Sequence, residues 1–249
     1  MQASITTELA HPQPLAETPP LLRRLLRFNP EFNLHRPGSP ERNEVEDYIA
    51  AVFAEAYGAD VTGFAPFLMS MSCAGRISAA AGIRPAADSP LFLEQYLDAP
   101  VEDVLSARYG RAIPRSEIFE LGNLAALRPG VCQLIYLIMA GVVARTDLNY
   151  AVFAGTRQVA KGVGRLGFCM EPIVAADPAR LGTAADSWGT YYKNAPQVTV
   201  LDLRKSMTVL ADMPLPRILL EIYAPQIELL AAHFNSVHRY HSNQHEQDS

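Results

Sequence analysis

The apolar run VCQLIYLIMAGVVA, residues 131–144, constrains the fold of this chain more than any other segment. A helix that is apolar on every side must be buried, either in a protein core or in a membrane. The run is about four to six residues shorter than the roughly 20 residues that cross a bilayer as a helix. It therefore predicts a core helix, and no transmembrane segment is expected.

The chain is long enough to bury such a helix. Its 249 residues are 49% hydrophobic, which can supply the core of one large domain or two small ones. The formal net charge is −5 with 19% charged residues, so the surface as a whole is not basic. Nucleic acid and anionic membranes favour strongly basic proteins, and neither is an expected partner.

The N-terminus and the cysteines bear on where the protein works. Residues 1–20 hold four prolines and little apolar periodicity, which predicts a flexible arm. They lack the basic region followed by an apolar region that marks a secretory signal. Cys73, Cys132 and Cys169 lie far apart without metal-ligand spacing, which predicts buried, reduced thiols. These features predict a cytoplasmic protein.

The first half of the chain alternates helix and strand signals. Residues 38–60 have Ser39 as a predicted N-cap and apolar residues at helical spacing, ending near Gly58. Residues 67–86 alternate apolar and small polar side chains about a glycine, which predicts a β-hairpin. Residues 89–110 begin with Ser-Pro and are broken by a second proline, which predicts two short helices.

The second half continues the same alternation of helices and strands. The predicted elements are a strand at 148–155, a helix from Thr156 to Gly167, a strand at 171–177, a loop-rich segment leading to a strand at 197–203, and an apolar helix at 216–234 interrupted at Pro225. No internal repeat is present.

A carboxylate lies within the strand predicted from EIFELGNLAALRPG, residues 117–130. Alternation in an extended chain gives this strand two faces, with Ile118, Glu120, Gly122 and Leu124 on one and Phe119, Leu121, Asn123 and Ala125 on the other. Glu120 therefore has apolar neighbours. Burial raises the pKa of a carboxyl, and such a group can act as a general base near neutral pH.

The end of the same segment has the features of a binding device. Gly122 predicts a β-bulge or a close backbone approach, which would leave nearby N–H or C=O groups free for a ligand. Arg128, Pro129 and Gly130 then lead into the apolar helix, whose first N–H groups attract anions. The alternative is a purely structural one, in which Glu120 is a buried salt-bridge partner and the turn is an ordinary loop.

The order of these elements resembles that of GNAT-type acyltransferases, in which pantetheine enters between two splayed parallel strands. A closer resemblance, to the thermostable hemolysin family, runs from about residue 34 to residue 202. It is carried by LFLEQYL (91–97), ELGNLA (120–125), FAGTRQV (153–159), GRLGF (164–168) and WGTYY (188–192), in this order.

This resemblance implies a fold and an activity. The implied fold is an α/β (α+β) GNAT-like acyltransferase fold, a central mixed twisted sheet with splayed parallel strands flanked by helices. It would occupy residues 21–204, with residues 205–249 forming a C-terminal helix packed on the domain and a polar tail. The implied activity is transfer of an acyl group, expected to be fatty, from a pantetheine thioester to the amine of a small molecule, as in autoinducer synthases.

The resemblance also suggests roles for individual residues. The expected catalytic residues are Glu120 as base with Glu94 as second choice, Asn123 to orient either the acceptor or the strand itself, and Tyr191 as the acid for the leaving thiolate, with Tyr192 as its alternative. The expected donor-binding residues are Gly122, Leu124, Ala125, Arg128, Gly130, Val131, Phe153 and Arg157. The expected substrate-binding residues are Phe92, Trp188 and Tyr192.

The expected co-substrate is an acyl-carrier-protein or coenzyme A thioester, with no tightly bound cofactor. The sequence departs from the GNAT pattern in two places. ALRPGVCQ, residues 126–133, offers fewer glycines than the usual phosphate loop, so a carrier-protein donor is as plausible as coenzyme A. The helix at 156–166 lacks the tyrosine that many GNAT enzymes use as an acid.

Other function classes remain at this stage. The family name implies a membrane-active haemolysin, for which the C-terminal helix is the candidate membrane-binding surface. A non-catalytic acyl-ligand binding protein on the same scaffold is another alternative. The histidines of the last helix and the tail, His233, His238, His241 and His245, lie in a polar chain end without closing partners, and no metal site is expected.

Overall fold

A computed structural model describes residues 29–126 and 131–245. These residues form one seven-stranded sheet in the order β1–β2–β3–β4–β5–β7–β6. The strands are β1 (Glu31–His35), β2 (Phe67–Cys73), β3 (Arg76–Pro85), β4 (Ile118–Ala126), β5 (Tyr150–Gly155), β6 (Met170–Ala175) and β7 (Gln197–Asp202). Only β4 and β5 pair in parallel, and every other neighbouring pair is antiparallel.

Helices cover both faces of this sheet. They are α1 (Arg42–Tyr57), α2 (Val101–Tyr109), α3 (Val131–Val143), α4 (Arg157–Gly164), α5 (Leu203–Asp212), α6 (Pro214–Ile222) and α7 (Ala224–His245). Short 3₁₀ helices span Phe92–Tyr96, Arg115–Glu117, Pro178–Trp188 and Tyr191–Asn194. One face packs against α3 to α7, and the other packs against α1, α2 and 3₁₀ segments. The predicted fold class, a mixed sheet flanked by helices with a helical C-terminal region, is confirmed.

The apolar run at 131–144 forms α3, as predicted. Leu137, Ile138 and Val142 have no solvent exposure, and the helix packs against strands on one side and α7 on the other. Because other elements cover it on several sides, it carries no polar face, which accounts for the apolar run in the sequence.

The hairpin and most helix ends follow the sequence signals. The β2–β3 turn uses Ala74 and Gly75, both in the left-handed region, and Gly58 ends α1 in that same conformation. The predicted start of α1 is wrong by two residues. The Ser39 hydroxyl accepts the backbone N–H of Arg36, so Ser39 closes a turn and does not cap the helix.

Three other expectations need correction or restriction. Strand β1 and helix α5 had no counterpart among the predicted elements. Cys73 and Cys169 are free thiols of intermediate exposure, so the prediction of buried thiols is wrong for these two. The flexible arm predicted for residues 1–20 lies outside the described residues.

The apolar C-terminal segment packs on the domain. The break near Pro225 lies at Tyr223, between α6 and α7. Ile227 and Phe234 on α7 are fully buried, and the Phe234 ring lies 4.6 Å from that of Phe67 on β2. The side proposed to bind a membrane is therefore occupied by the core. Within the described ranges, no helix is long and apolar enough to cross a bilayer.

Replacing Phe234 by alanine should lower the free energy of unfolding by about 3–5 kcal/mol, the usual cost of emptying a buried aromatic site. Leu229 lies on the same helix but is 73% exposed, so Leu229→Ala should change it by less than about 0.5 kcal/mol. Urea denaturation of the two variants measures the difference. Similar losses in both would show that α7 does not pack as described.

Candidate active site

Strands β4 and β5 separate soon after they meet. Their parallel pairing covers only Ile118↔Tyr150, Phe119↔Ala151 and Glu120↔Val152. Beyond these residues β4 continues along β3, and β5 continues along β7. The divergence opens a gap in the middle of the sheet, whose backbone edges are not paired with each other.

A β-bulge lies beside this gap. Gly82 of β3 pairs with Gly122, but Ala80 pairs with Ala125, so two residues of β4 lie opposite one of β3. The extra residue is Asn123, whose φ of 50° is in the left-handed region. The bulge predicted from Gly122 is therefore present immediately after that glycine.

The bulge changes which face the following residues occupy. Leu124 packs with Phe119 and Leu121 against α3, while the side chain of Ala125 packs under α1. The strict alternation expected from the sequence, which placed Leu124 on the face of Glu120, is wrong because one inserted residue reverses the phase. The side chain of Ala125 consequently points away from the apolar residues behind the gap.

Asn123 connects the bulge to the loop between α1 and β2. Its side-chain oxygen accepts the Ala65 N–H at 2.9 Å, and its side-chain nitrogen donates to the Gly63 carbonyl at 3.1 Å. Its role in this structure is to hold the strand and the loop, which is one of the two roles expected for it.

A cavity of about 300 Å³ opens between this loop, the bulged strand and the Pro178–Trp188 segment. Charged and amide side chains distinguish this polar cavity, whose wall is formed by Asp60, Val61, Thr62, Gly63, Ala65, Arg84, Phe92, Glu120, Gly122, Asn123, Ala184, Ser187 and Trp188. Three of the expected site residues on β4 and two of the expected substrate-binding residues therefore meet at one cavity.

Glu120 is the buried carboxylate of this cavity. Its two oxygens accept the N–H groups of Phe92 at 2.7 Å and Leu93 at 3.0 Å, at the start of a 3₁₀ helix. Burial raises the pKa of Glu120 to about 7, although these hydrogen bonds and Arg84, 3.8 Å away, act in the opposite direction. A carboxyl with this pKa can both accept and release a proton near neutral pH.

Glu94, the second choice for the base, has a different role. Both of its oxygens bind Arg115 at 2.7 Å, and they also accept the N–H groups of Leu91 and Val101. The hydrogen bonds to Arg115 lower the pKa of Glu94 to about 2. These contacts give Glu94 a structural role, and a carboxylate this firmly ionised is a poor base.

The aromatic residues of WGTYY separate into cavity wall and support. Trp188 lines the cavity beside Phe92, with ring centroids 5.5 Å apart. The Tyr191 hydroxyl donates to the Ala154 carbonyl at 2.9 Å, on the part of β5 that has separated from β4, and burial raises the pKa of Tyr191. The Tyr192 hydroxyl is paired with that of Tyr96 at 2.5 Å, so its expected contact with a substrate is not supported.

A second, apolar cavity lies on the other side of the sheet. It has a volume of about 30 Å³. Leu121 and Phe153, where the two strands diverge, both line it. The other lining residues are Phe119, Leu124, Tyr136, Met139, Ala140, Val143, Ala151, Val163, Phe168, Leu201 and Leu203. Of the expected donor-binding residues, Leu124 and Phe153 belong to this cavity.

Three other residues were expected to bind the donor. Arg128 and Gly130, and the side chain of Val131, lie outside the described residues. Arg157 is exposed at the first position of α4, directly after β5. In the described part of the chain, no group of three or more His, Cys, Asp or Glu side chains could hold a metal ion.

Arg84 is the site residue that sequence reasoning missed. It lies in the small-residue strand RISAAAGIRP, where it is the last charged residue before the strand ends. What brings Arg84 to the site is its position opposite Glu120 in the β3–β4 register. The sequence alone does not show this pairing.

Residues 35–207 match the sequence model of one family, described as thermostable hemolysin. The AHL synthase LasI is similar in structure, with a TM-score of 0.50 and 16% identity over 70% of this chain and 90% of LasI. FeeM, an N-acyl amino acid synthase from uncultured soil microbes, has a TM-score of 0.49 and 15% identity, over 72% of this chain and 94% of FeeM. MesI, a CoA-dependent acyl-homoserine lactone synthase, has a TM-score of 0.47 and 13% identity, over 78% of this chain and 95% of MesI. No curated protein sequence matches the chain. The likeness to LasI shows the fold.

Two glycines of the site should respond differently to an added side chain. A Cβ on Gly122 would meet nothing within 4 Å, whereas one on Gly82 would lie 2.7 Å from the Ala65 Cβ and 2.9 Å from the Asn123 oxygen. We expect Gly122→Val to change the free energy of unfolding by less than about 1 kcal/mol, because valine suits a strand. Gly82→Ala should lower it by about 1–3 kcal/mol. Denaturation curves that reverse this order would contradict the described bulge.

Proposed function

The chain belongs to the thermostable hemolysin family, and we propose that it is an N-acyltransferase that moves an acyl group from a pantetheine thioester to the amine of a small molecule. The observation that carries this proposal is Glu120, a buried carboxyl with a pKa of about 7 that faces a polar cavity where two strands separate. LasI, which has the same fold, is an AHL synthase, and the proposed reaction is of the acyl-transfer class.

The two cavities suit the two substrates. The amine would occupy the polar cavity beside Glu120, and the pantetheine arm of the donor would enter the gap between β4 and β5. The acyl chain would then extend into the apolar cavity behind Leu121 and Phe153. This cavity favours a fatty acyl group because its lining is apolar apart from one tyrosine, and its small volume requires the lining to shift when a chain enters.

The proposed reaction uses groups of this chain at each step. The amine nitrogen attacks the thioester carbon while Glu120 takes the amine proton, and the carbonyl oxygen becomes an oxyanion. Backbone N–H groups beside Gly122, where the bulge interrupts the ladder, are the proposed stabilisers of that oxyanion. The C–S bond then breaks, and the leaving thiolate takes a proton. Tyr191 is the proposed acid, because its hydrogen bond to the Ala154 carbonyl holds the hydroxyl beside the part of β5 that borders the gap, and a tyrosine hydroxyl is protonated at neutral pH.

The rival functions have less support. A membrane-lytic role needs an apolar surface, but the apolar side of α7 is packed against α3 and β1. A non-catalytic acyl-ligand binding protein has no use for a carboxyl of raised pKa in the cavity, although binding without turnover would favour it. The expected cytoplasmic location is part of the same proposal.

Glu120→Gln should reduce acyl transfer by roughly 10²–10⁴-fold, since glutamine cannot accept the amine proton. Thiol release from an acyl-pantetheine donor measures the rate, and the free energy of unfolding checks that the fold is retained. In the wild-type protein the rate should rise with pH through about 7, because Glu120 is an effective base only when ionised. Glu228→Gln, a change on α7 that alters the exposed ion pair of Glu228 with Arg145, is the matched control. A turnover that Glu120→Gln leaves intact would remove Glu120 from the mechanism.

The choice of donor concerns a basic stripe along α4, formed by Arg157 and Lys161 of the helix and by Arg165 directly after it. The three residues are spaced four apart and all are exposed. Among the described residues none of them forms an ion pair. The stripe begins where β5 ends, next to the mouth of the gap. We propose that it steers an acidic acyl carrier protein onto the site.

Reversing the three charges of the stripe should raise the KM for an acyl-carrier-protein donor by roughly 10-fold and leave a short acyl-pantetheine donor nearly unaffected. Added salt should likewise raise the KM of the wild-type protein for the acyl-carrier-protein donor, because it screens the charges of the stripe. Reversal of Arg36, Arg76 and Arg217 gives the same change in net charge on other exposed arginines and is the control. Equal effects on both donors, or none on either, would show that the stripe does not recognise a carrier protein.

A further inference from the structure

Arg84 is the one Arg or Lys among the described residues that line the polar cavity. It lies opposite Glu120 in the register of β3 and β4, and its side chain is 27% exposed. A guanidinium carries five N–H donors in a planar fork and suits bidentate binding of anions. The question is whether the protein itself uses these donors.

The contacts of Arg84 within the described residues leave donors unused. One Nη2 hydrogen bond goes to the Phe64 carbonyl at 3.3 Å. The Nε atom is 3.8 Å from the nearer oxygen of Glu120, which is longer than a hydrogen bond. Each oxygen of Glu120 accepts one N–H, from Phe92 or from Leu93, and keeps a second lone pair. The pair is therefore arranged side by side at the cavity wall, and each member can still take part in binding a ligand.

In the proposed reaction Arg84 needs a second negative partner besides Glu120. When Glu120 takes the proton from the amine it becomes neutral, and Arg84 then loses its nearest negative charge. A partly buried cation without a partner is unfavourable. Asp60, the other carboxylate of the wall, is solvent-exposed, so its effect is screened. A negative group on the acceptor would give Arg84 a new partner when Glu120 loses its charge.

Resting on the proposed transfer to an amine, we infer that the acceptor carries an anionic group close to its amine, and that Arg84 binds this group while Glu120 faces the nitrogen. Because the guanidinium and the carboxyl are 3.8 Å apart, the two groups of the acceptor must be only a few bonds apart. The anionic group has the chemistry of a carboxylate, a sulfonate or a phosphonate. Phe92 and Trp188 provide the apolar wall for the rest of the molecule.

The test compares ligands that differ in one negative charge, first by binding and then by turnover. L-Alanine, L-leucine and L-phenylalanine are measured beside their amides, and taurine and 2-aminoethylphosphonate beside ethanolamine. Calorimetric binding is measured for the wild type, Arg84→Gln and the control Arg108→Gln, which alters an exposed ion pair with Glu171. Thiol release is then measured with the same acceptors, with rates referred to the concentration of neutral amine.

In the wild type and in Arg108→Gln, the best anionic acceptor should bind roughly 10-fold or more tightly than its uncharged partner, the value of a charge-assisted hydrogen bond. Arg84→Gln should reduce this preference to less than about 2-fold. Arg84→Lys, which keeps the charge without the fork, should give an intermediate preference and replaces Arg84→Gln if that variant does not fold. Among the anionic probes, the tightest one distinguishes carboxylate from sulfonate and phosphonate.

Different results would overturn the anionic acceptor and the proposed acyl transfer. A wild-type protein without charge preference, or a preference that survives in Arg84→Gln, overturns the inference. So does an equal loss of turnover with charged and uncharged acceptors, because Arg84 would then act only through Glu120. An Arg84-dependent binding preference without thiol release from any acceptor would support this ligand class while overturning the proposed acyl transfer.

Discussion

The rest of the site depends on the β-bulge at Asn123. One extra residue in β4 ends the regular alternation of the strand, and the separation from β5 begins in the same region. The Ala65 Cβ and the Asn123 side-chain oxygen lie so close to Gly82 that this glycine has no room for a side chain. Asn123 holds the displaced strand to the loop at 63–65 with two hydrogen bonds, so the cavity wall and the gap are fixed by one side chain. Loss of this arrangement would alter the gap and the cavity wall together.

The position of Glu120 combines a structural and a chemical task. A buried carboxylate is costly, and here two N–H groups at the start of a 3₁₀ helix offset part of that cost. The same helix end has no internal acceptor for those N–H groups, so the carboxylate also stabilises the helix. Glu94, which lies within this same 3₁₀ helix, shows the other outcome, since a paired guanidinium keeps it ionised. The pKa values of the two carboxyls thus differ because burial dominates at Glu120, whereas the bidentate Arg115 guanidinium dominates at Glu94.

Sequence patterns predicted the parts of this structure that local chemistry controls. The apolar run became α3, the glycine turn became a hairpin, and Gly122 lay next to a bulge, since each depends on the residue itself. The face of Leu124, the role of Glu94 and the presence of Arg84 in the cavity were not predicted. They depend on strand register and on a partner distant in sequence, Arg115 in the case of Glu94, which no local pattern contains. The residues at 127–130, expected to form a phosphate loop, lie outside the described ranges.

The two cavities lie on opposite sides of the sheet, and this has a consequence for the product of the proposed reaction. Joining a polar acceptor to an apolar chain creates an amphiphile whose head lies on one side and whose tail lies on the other. Such a molecule threads the sheet at the gap between β4 and β5, and cannot leave from the head side unless its tail is drawn back through that gap. Departure of the product would then be coupled to the arrival of detergent, lipid or another carrier able to take up the tail, so turnover would be governed by extraction as much as by chemistry.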